Sequence, residues 1–202
     1  MHEGLRLFIA IELSEEVLRH MAEVAGAFRR HGVTGVRWVR PEGSHLTLKF
    51  LGNVPEGQSL AIAQGMEHAT RGIAPFSLQV KGAGVFPNIR APRVLWLGIQ
   101  GDLEPLRELY SRMEEEMERL GFSREARVFS PHLTLGRMKA RLSAREIQVL
   151  EEALAAVPGS GAPGFLVKEM SLMQSLLRPE GAAYVRKAAV PLGDALADSQ
   201  AS

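Results

Sequence analysis

The sequence predicts an α+β protein: two lobes of antiparallel sheet, flanked by helices, around a central cleft. Three observations predict it. Segments that read as strands tend to come in adjacent pairs, which suits antiparallel pairing better than a doubly wound parallel sheet. Amphipathic segments with helix start and stop signals separate those pairs. One phrase, His-Leu-Thr-Leu, is written twice, at 45–48 and 132–135, giving one copy to each lobe. The expected unit is a single bilobal domain over residues 1–193, followed by a flexible tail over 194–202.

The elements follow in order. "LRLFIAIEL" (5–13) is apolar and β-branched enough for a buried strand. Ser14 then caps a helix whose first turn holds Glu15 and Glu16, where their charge complements the helix dipole. Val17, Met21, Val24 and Phe28 recur at helical spacing, and Gly32 ends the run. "VRWVRP" and "HLTLKFLG" read as strands, and 55–72 as a helix. "FSLQVKGAGVF" and "RVLWLGI" read as strands joined by the proline-marked loop "PNIRAP". Leu103, Leu106, Tyr110, Met113, Met117 and Leu120 form the stripe of a core helix that Gly121 ends. "RVFSPHLTLGRM" (127–138) follows as one strand. Ser143 and Glu146 have capping-box spacing ahead of Ile147, Leu150, Leu154 and Val157. "PGSGAPG" (158–164) is a loop, and "FLVKEMSLMQSLL" and "AAYVRKAAVPL" form a closing hairpin across "RPEG".

Composition narrows the function. Of 202 residues, 46% are hydrophobic and 23% charged, as in an ordinary globular protein. A net charge of +1 predicts no bulk attraction to a polyanion, so any nucleic-acid site must come from local clustering. With no cysteine, disulfides, thiolate metal sites and a cysteine nucleophile are excluded. The opening lacks the shape of a signal peptide, and no apolar run approaches the ~18 residues of a membrane span. The expectation is a soluble, cytoplasmic monomer with no membrane partner.

Side chains alternate along a strand, so His45, Thr47 and Lys49 are expected on one face, and Leu46, Leu48 and Phe50 on the other, in the core. His132 and Thr134 share a face in the second copy. Leucines at these positions are explained by packing; the repeated His-plus-Thr face is not. A phosphodiester explains it. In-line displacement at phosphorus needs a base on the side of the nucleophile and an acid on the side of the leaving oxygen. Imidazole, with an unperturbed pKa of about 6.5, serves as either. A threonine hydroxyl two residues along can donate to a non-bridging oxygen. Other chemistries find less support. No His-Glu-x-x-His or Asp-x-Asp pattern is present, so a metal on His45 and His132 would need a third ligand from an unmarked position. No Gly-x-Ser-x-Gly is present, and the glycine loops lack a P-loop lysine.

The paired motifs, with "RLFIAIELSEE", "RWVRPEGSHLTLKFLG", "FPNIRAPRVLWLGI", "FSPHLTLGR" and "LMQSLLRPEGAAYV" around them, carry a resemblance over nearly the whole chain. The sequence resembles the two-histidine (2H) phosphoesterase superfamily, and within it the bacterial RNA 2′,3′-cyclic phosphodiesterases, also called 2′-5′ RNA ligases. The resemblance implies a bilobal LigT-like fold. It implies hydrolysis of RNA 2′,3′-cyclic phosphate ends, tRNA fragments among them, to 2′-phosphates, with no cofactor and no metal. It implies His45 as proton donor, His132 as acceptor, and Thr47 and Thr134 on phosphate oxygens. In ligation a 5′-hydroxyl would replace water. The identical motifs do not themselves distinguish donor from acceptor.

Arg137 resembles an arginine that follows the family's second motif and is a candidate phosphate ligand. Strict alternation puts it on the leucine face, so a bend at Gly136 is required. Trp38 and Phe86 are candidates for base stacking or for the core. Arg37 with Arg40, Arg90 with Arg93, and Arg137 with Lys139 and Arg141 are candidates for an RNA rim or for solvated surface. His2, His20, His31 and His68 read as structural or surface residues. Two other functions stay open: a phosphodiesterase of small cyclic nucleotides such as an ADP-ribose cyclic phosphate, and an RNA-binding module without turnover.

Overall fold

The computed structural model describes residues 4–157, 161–178 and 181–193. The expected tail over 194–202 lies outside them, as do parts of the 158–164 loop and of the "RPEG" turn. Among the described residues, nine strands form two antiparallel sheets. The first contains β1 (Leu5–Glu12), β3 (His45–Val54), β8 (Glu169–Arg178) and β9 (Gly181–Pro191), in the order β3-β1-β8-β9. The second contains β2 (Val36–Trp38), β4 (Phe76–Phe86), β5 (Val94–Gly101), β6 (His132–Met138) and β7 (Gly164–Val167), in the order β2-β6-β5-β4-β7. Each sheet thus holds one motif strand, β3 or β6. Neither sheet is a half of the chain, because β2 and β4 join the second sheet while β8 and β9 return to the first.

The described residues also form the α-helices α1 (Glu15–Arg30), α2 (Ser59–Thr70), α3 (Leu103–Arg119) and α4 (Ala144–Ala155). Ser14 caps α1 through the Val17 amide, and Ser143 and Glu146 form the expected capping box on α4. Val17, Met21, Val24 and Phe28 are all buried, as their spacing predicts. The helices and one face of each sheet share a single apolar core that includes Leu7, Ile9, Ile11, Leu46, Leu95, Leu97, Leu133 and Leu135. A small second cluster of Phe8, Ala10 and Met173, with Tyr184 packed on it, lies on the opposite face of the first sheet.

Two expected strands are corrected. Residues 127–131 are not a strand: Pro131 has no amide to give a ladder, and Phe129 stacks on Tyr110 of α3 with ring centroids 4.0 Å apart. Residues 165–177 are two strands, not one. Phe165 and Val167 are buried in the second sheet, and Met170 and Leu172 in the first. The positions that face the shared core pass from odd to even across Lys168, where the chain changes sheets.

Alternation also breaks inside each motif strand, at the same place. Ala10 faces Thr47 and Ile9 faces Lys49, so Leu48 is an extra residue. Trp96 faces Thr134 and Leu95 faces Gly136, so Leu135 is an extra residue. A bulge of this kind shifts the side chains that follow by one position, in β3 as far as a second bulge at Leu51. Lys49 therefore turns into the protein, and Phe50 turns out with 72% of its surface exposed, the reverse of simple alternation. Lys49 Nζ donates to both carboxylate oxygens of Glu114 on α3, at 2.8 and 2.9 Å, and to the Ser123 carbonyl at 2.8 Å. Glu114 also accepts from the Glu125 amide at 3.1 Å. At the second bulge a Cβ on Gly136 would lie 2.5 Å from Val36 Cγ1, so glycine lets β2 approach.

Removing one partner of a buried ion pair strands the other charge. Lys49→Met is expected to lower unfolding free energy by about 3–5 kcal/mol. Lys49→Met with Glu114→Met is expected to recover much of that loss in urea denaturation, since the stranded carboxylate is gone.

Candidate active site

The two motif strands meet where the sheets face each other, with residues of β3 and β6 within 8 Å, Cα to Cα. The connection that brings them together is short. β2 pairs with β6 just past the second motif, Trp38 opposite Gly136, and the Val39 amide still donates to the Leu135 carbonyl at 2.9 Å. One 3₁₀ turn, Pro41–Gly43, then delivers the chain to His45.

Both imidazoles are held in the same way. His45 Nδ1 lies 3.0 Å from the Gly43 carbonyl, and His132 Nδ1 lies 2.7 Å from the Ser130 carbonyl. A carbonyl oxygen only accepts, so in each ring Nδ1 carries the proton and donates it. Nε2 is the remaining nitrogen in both: a base when the ring is neutral, an acid when it is charged. The partner is in each case the backbone two residues earlier, so the two motifs share an orienting device as well as a sequence.

The surroundings of the two rings differ. His45 sits against Phe8, with centroids 4.5 Å apart, and Tyr184 meets it edge-on at 5.0 Å. That burial holds its pKa below 6.5, against the opposing pull of the Gly43 hydrogen bond and of the Glu12 carboxylate. Glu12 faces His45 across the ladder and is itself engaged by Ser171 Oγ at 2.6 Å and Arg186 Nη1 at 3.2 Å. His132 is half-buried and meets the Phe86 ring edge-on at 5.0 Å.

His45, Thr47, Thr134 and Arg137 line one cleft of about 400 Å³, together with Phe8, Phe50 and Tyr184. His132 is not on the cleft wall itself; it lies two residues from Thr134 on the same face of β6. Arg137 reaches the cleft because the bulge at Leu135–Gly136 supplies the required bend. The bulges make Thr47 equivalent to Thr134 and Phe50 equivalent to Arg137. Lys49, by contrast, is removed from the cleft and committed to Glu114.

The remaining candidates separate. Trp38 is half-buried against the core, with Arg29 over its ring at 5.0 Å. Phe86 packs between Trp96 and His132. Trp96 lies flat on β4, where a Cβ on Gly84 would come within 2.3 Å of its ring. Arg37 stands opposite Arg137 in the ladder, and both are exposed. Arg40, Arg90, Arg93, Lys139 and Arg141 are exposed but do not line the cleft. Sequence reasoning missed Phe8, Tyr184 and Trp96, which strands distant from the motifs supply.

Among the described residues, no three histidine, aspartate or glutamate side chains cluster as a metal-ligand set. Among the same residues, no helix is long and apolar enough to cross a membrane. The arrangement brings one imidazole, two hydroxyls and one guanidinium to the wall of a single cleft, with the second imidazole two residues from Thr134 on the same strand.

The LigT like Phosphoesterase family model matches residues 11–96 and again 97–184, one motif in each match. An RNA 2′,3′-cyclic phosphodiesterase of Methanothermobacter thermautotrophicus is 35% identical over 180 residues, covering 89% of this chain and 95% of the relative. The crystal structure of TT0787 of Thermus thermophilus superposes with a TM-score of 0.75 at 29% identity, over 93% of this chain and 98% of that one. Escherichia coli LigT complexed with 3′-AMP superposes with a TM-score of 0.75 at 26% identity, over 94% of this chain and 99% of that one. With both halves matched and the motif strands in facing sheets, this chain belongs to the LigT-like phosphoesterase family.

Proposed function

We propose that this chain hydrolyses RNA 2′,3′-cyclic phosphate ends to 2′-phosphates by two-histidine acid–base catalysis. The observation that carries the reading is the matched pair of imidazoles, each with Nδ1 committed to a backbone carbonyl and Nε2 available, beside a cleft lined by Thr47, Thr134 and Arg137. The name of the Methanothermobacter relative and the 3′-AMP complex of the Escherichia coli neighbour support the substrate class.

His132 Nε2 takes a proton from water as the water oxygen attacks phosphorus. The bond from phosphorus to the 3′ oxygen breaks on the opposite side, and the His45 imidazolium protonates that oxygen. The phosphate stays on the 2′ oxygen. Thr47 and Thr134 donate to non-bridging oxygens, and Arg137 offsets their charge. Hydrogen bonds to such a charged group contribute roughly 1.5–3 kcal/mol each. A 5′-hydroxyl in place of water gives a 2′-5′ linkage by the same steps. The substrates include cyclic-ended tRNA fragments, and residues 1–193 act as one bilobal catalytic unit, monomeric and cytoplasmic.

The test is turnover of a 2′,3′-cyclic-ended oligonucleotide, with the product ends identified. A 2′-phosphate is the expected product, and activity is expected to survive exhaustive chelation. His45→Ala and His132→Ala each remove a proton-transfer group, so each should lower kcat by about one to two powers of ten more than Thr47→Ala or Thr134→Ala. A well-folded histidine variant with near-wild-type turnover would remove that histidine from the mechanism. Binding without turnover would favour the RNA-binding module.

The pH profile follows from His45. As the donor it must be charged, yet its pKa in the free protein is lowered from 6.5 by burial. The kcat/KM profile, which reports the free enzyme, should therefore be bell-shaped with one apparent pKa below the ordinary histidine value. A bound phosphate anion favours the imidazolium, so the alkaline limb of kcat should lie at higher pH than that of kcat/KM. Coincident alkaline limbs in the two profiles would count against His45 as donor.

A further inference from the structure

The cleft does not end at the motifs. It continues along β1 and β3 of the first sheet, past Phe50 and Tyr184, to Arg6, Gly52 and Ser175. Hydrolysis of a cyclic phosphate explains neither of two features there. Phe50 is a large apolar ring kept 72% exposed by the bulge at Leu48. Arg6 is exposed, lines the cleft, and has no carboxylate partner among the described residues. Alternation puts Arg6 on the same face of β1 as Phe8 and Ala10. It lies four residues from Ala10, the residue opposite Thr47, which is about 13 Å of strand.

The cleft therefore runs from a group of phosphate-binding side chains, across aromatic rings, to a second cation. That order matches the order of groups in a nucleotide chain: phosphate, then sugar and base, then the next phosphate. We propose that Phe50 carries the base of the terminal nucleotide and that Arg6 binds the phosphodiester joining that nucleotide to the rest of the RNA. The cleft thereby selects cyclic ends of chains over free nucleoside 2′,3′-cyclic phosphates. The inference rests on the phosphodiesterase reading of the same cleft. Ring-on-base stacking is indifferent to sequence, as an enzyme of RNA ends requires. A guanidinium suits a phosphate by geometry as well as charge. A free cyclic nucleotide ends in a 5′-hydroxyl and gives Arg6 no anion to bind.

The experiment compares kcat/KM for a cyclic-ended trinucleotide and for a nucleoside 2′,3′-cyclic phosphate, using wild type, Arg6→Gln and Arg6→Lys, with thermal unfolding as a folding control. Wild type should prefer the trinucleotide, and Arg6→Gln should reduce that preference about tenfold, mainly through KM. Arg6→Lys, which keeps the charge, should retain most of it. In Arg6→Gln the salt dependence of trinucleotide turnover should flatten by about 0.7 in log–log slope, the share of one single-strand phosphate contact. Equal losses on both substrates, or an unchanged salt slope, would overturn the subsite. Should wild type turn over neither cyclic substrate, the phosphodiesterase reading fails. Equilibrium binding of a trinucleotide and of a mononucleotide, each ending in a 2′-phosphate, then decides the subsite. Preference for the trinucleotide that Arg6→Gln abolishes supports it, and equal binding by wild type overturns it.

Discussion

Residues 39–44 join β2, which is paired to the second motif strand, directly to the first motif strand, and the cleft depends on that connection. Val39 remains hydrogen-bonded to β6 as the chain leaves the second sheet. Pro41 fixes its own φ at the start of the 3₁₀ turn, and the Gly43 carbonyl at the end of that turn orients His45. One backbone segment is thus anchored to the strand of the second histidine and to the ring of the first. The relative placement of the motifs is a backbone property, less sensitive to side-chain fluctuation than a site assembled from separate loops.

Much of this was legible in the sequence, because the signals were local. Helix caps, apolar spacing and strand pairing fixed most of the elements, and the facing of His45 with Thr47 and of His132 with Thr134 followed from a period of two. Apart from the two corrected strands, the reading that failed was the one that carried the period of two past residue 48. A bulge costs one residue of register and leaves no composition signal of its own, so Lys49 and Phe50 were expected on each other's faces. Arg137 needed the same shift to reach the cleft. The break at Lys168 was visible in principle, since Phe165 and Val167 do not share parity with Met170 and Leu172. Phe8, Tyr184 and Arg6 could not be tied to the motifs from sequence, because only the pairing of β1 with β3 and β8, and of β8 with β9, sets them around the cleft.

The equivalent bulges also show how one architecture was given two different walls. Thr47 and Thr134 hold corresponding places, but the next cleft-facing position is Phe50 in one copy and Arg137 in the other. The residue at the bulge is Lys49 in one and Gly136 in the other, one tying its strand to a helix and the other admitting a neighbouring strand. A duplicated frame can thereby carry acid–base symmetry together with an asymmetric binding surface, which a substrate with distinct ends demands.

The family model matches the chain as two successive stretches, yet the second sheet is built by exchange: β2 and β4 of the first stretch pair with β6 and β7 of the second. The arrangement is that of a strand-swapped dimer written into one polypeptide. Leu7 waits for Gln174: one of the three ladders of the first sheet joins the two ends of the chain, and such long-range pairing slows folding. Synthesis supplies both histidines well before it supplies Tyr184 and the strands that complete the sheet around His45. A nascent chain that ends before β8 therefore holds both motifs and no finished cleft.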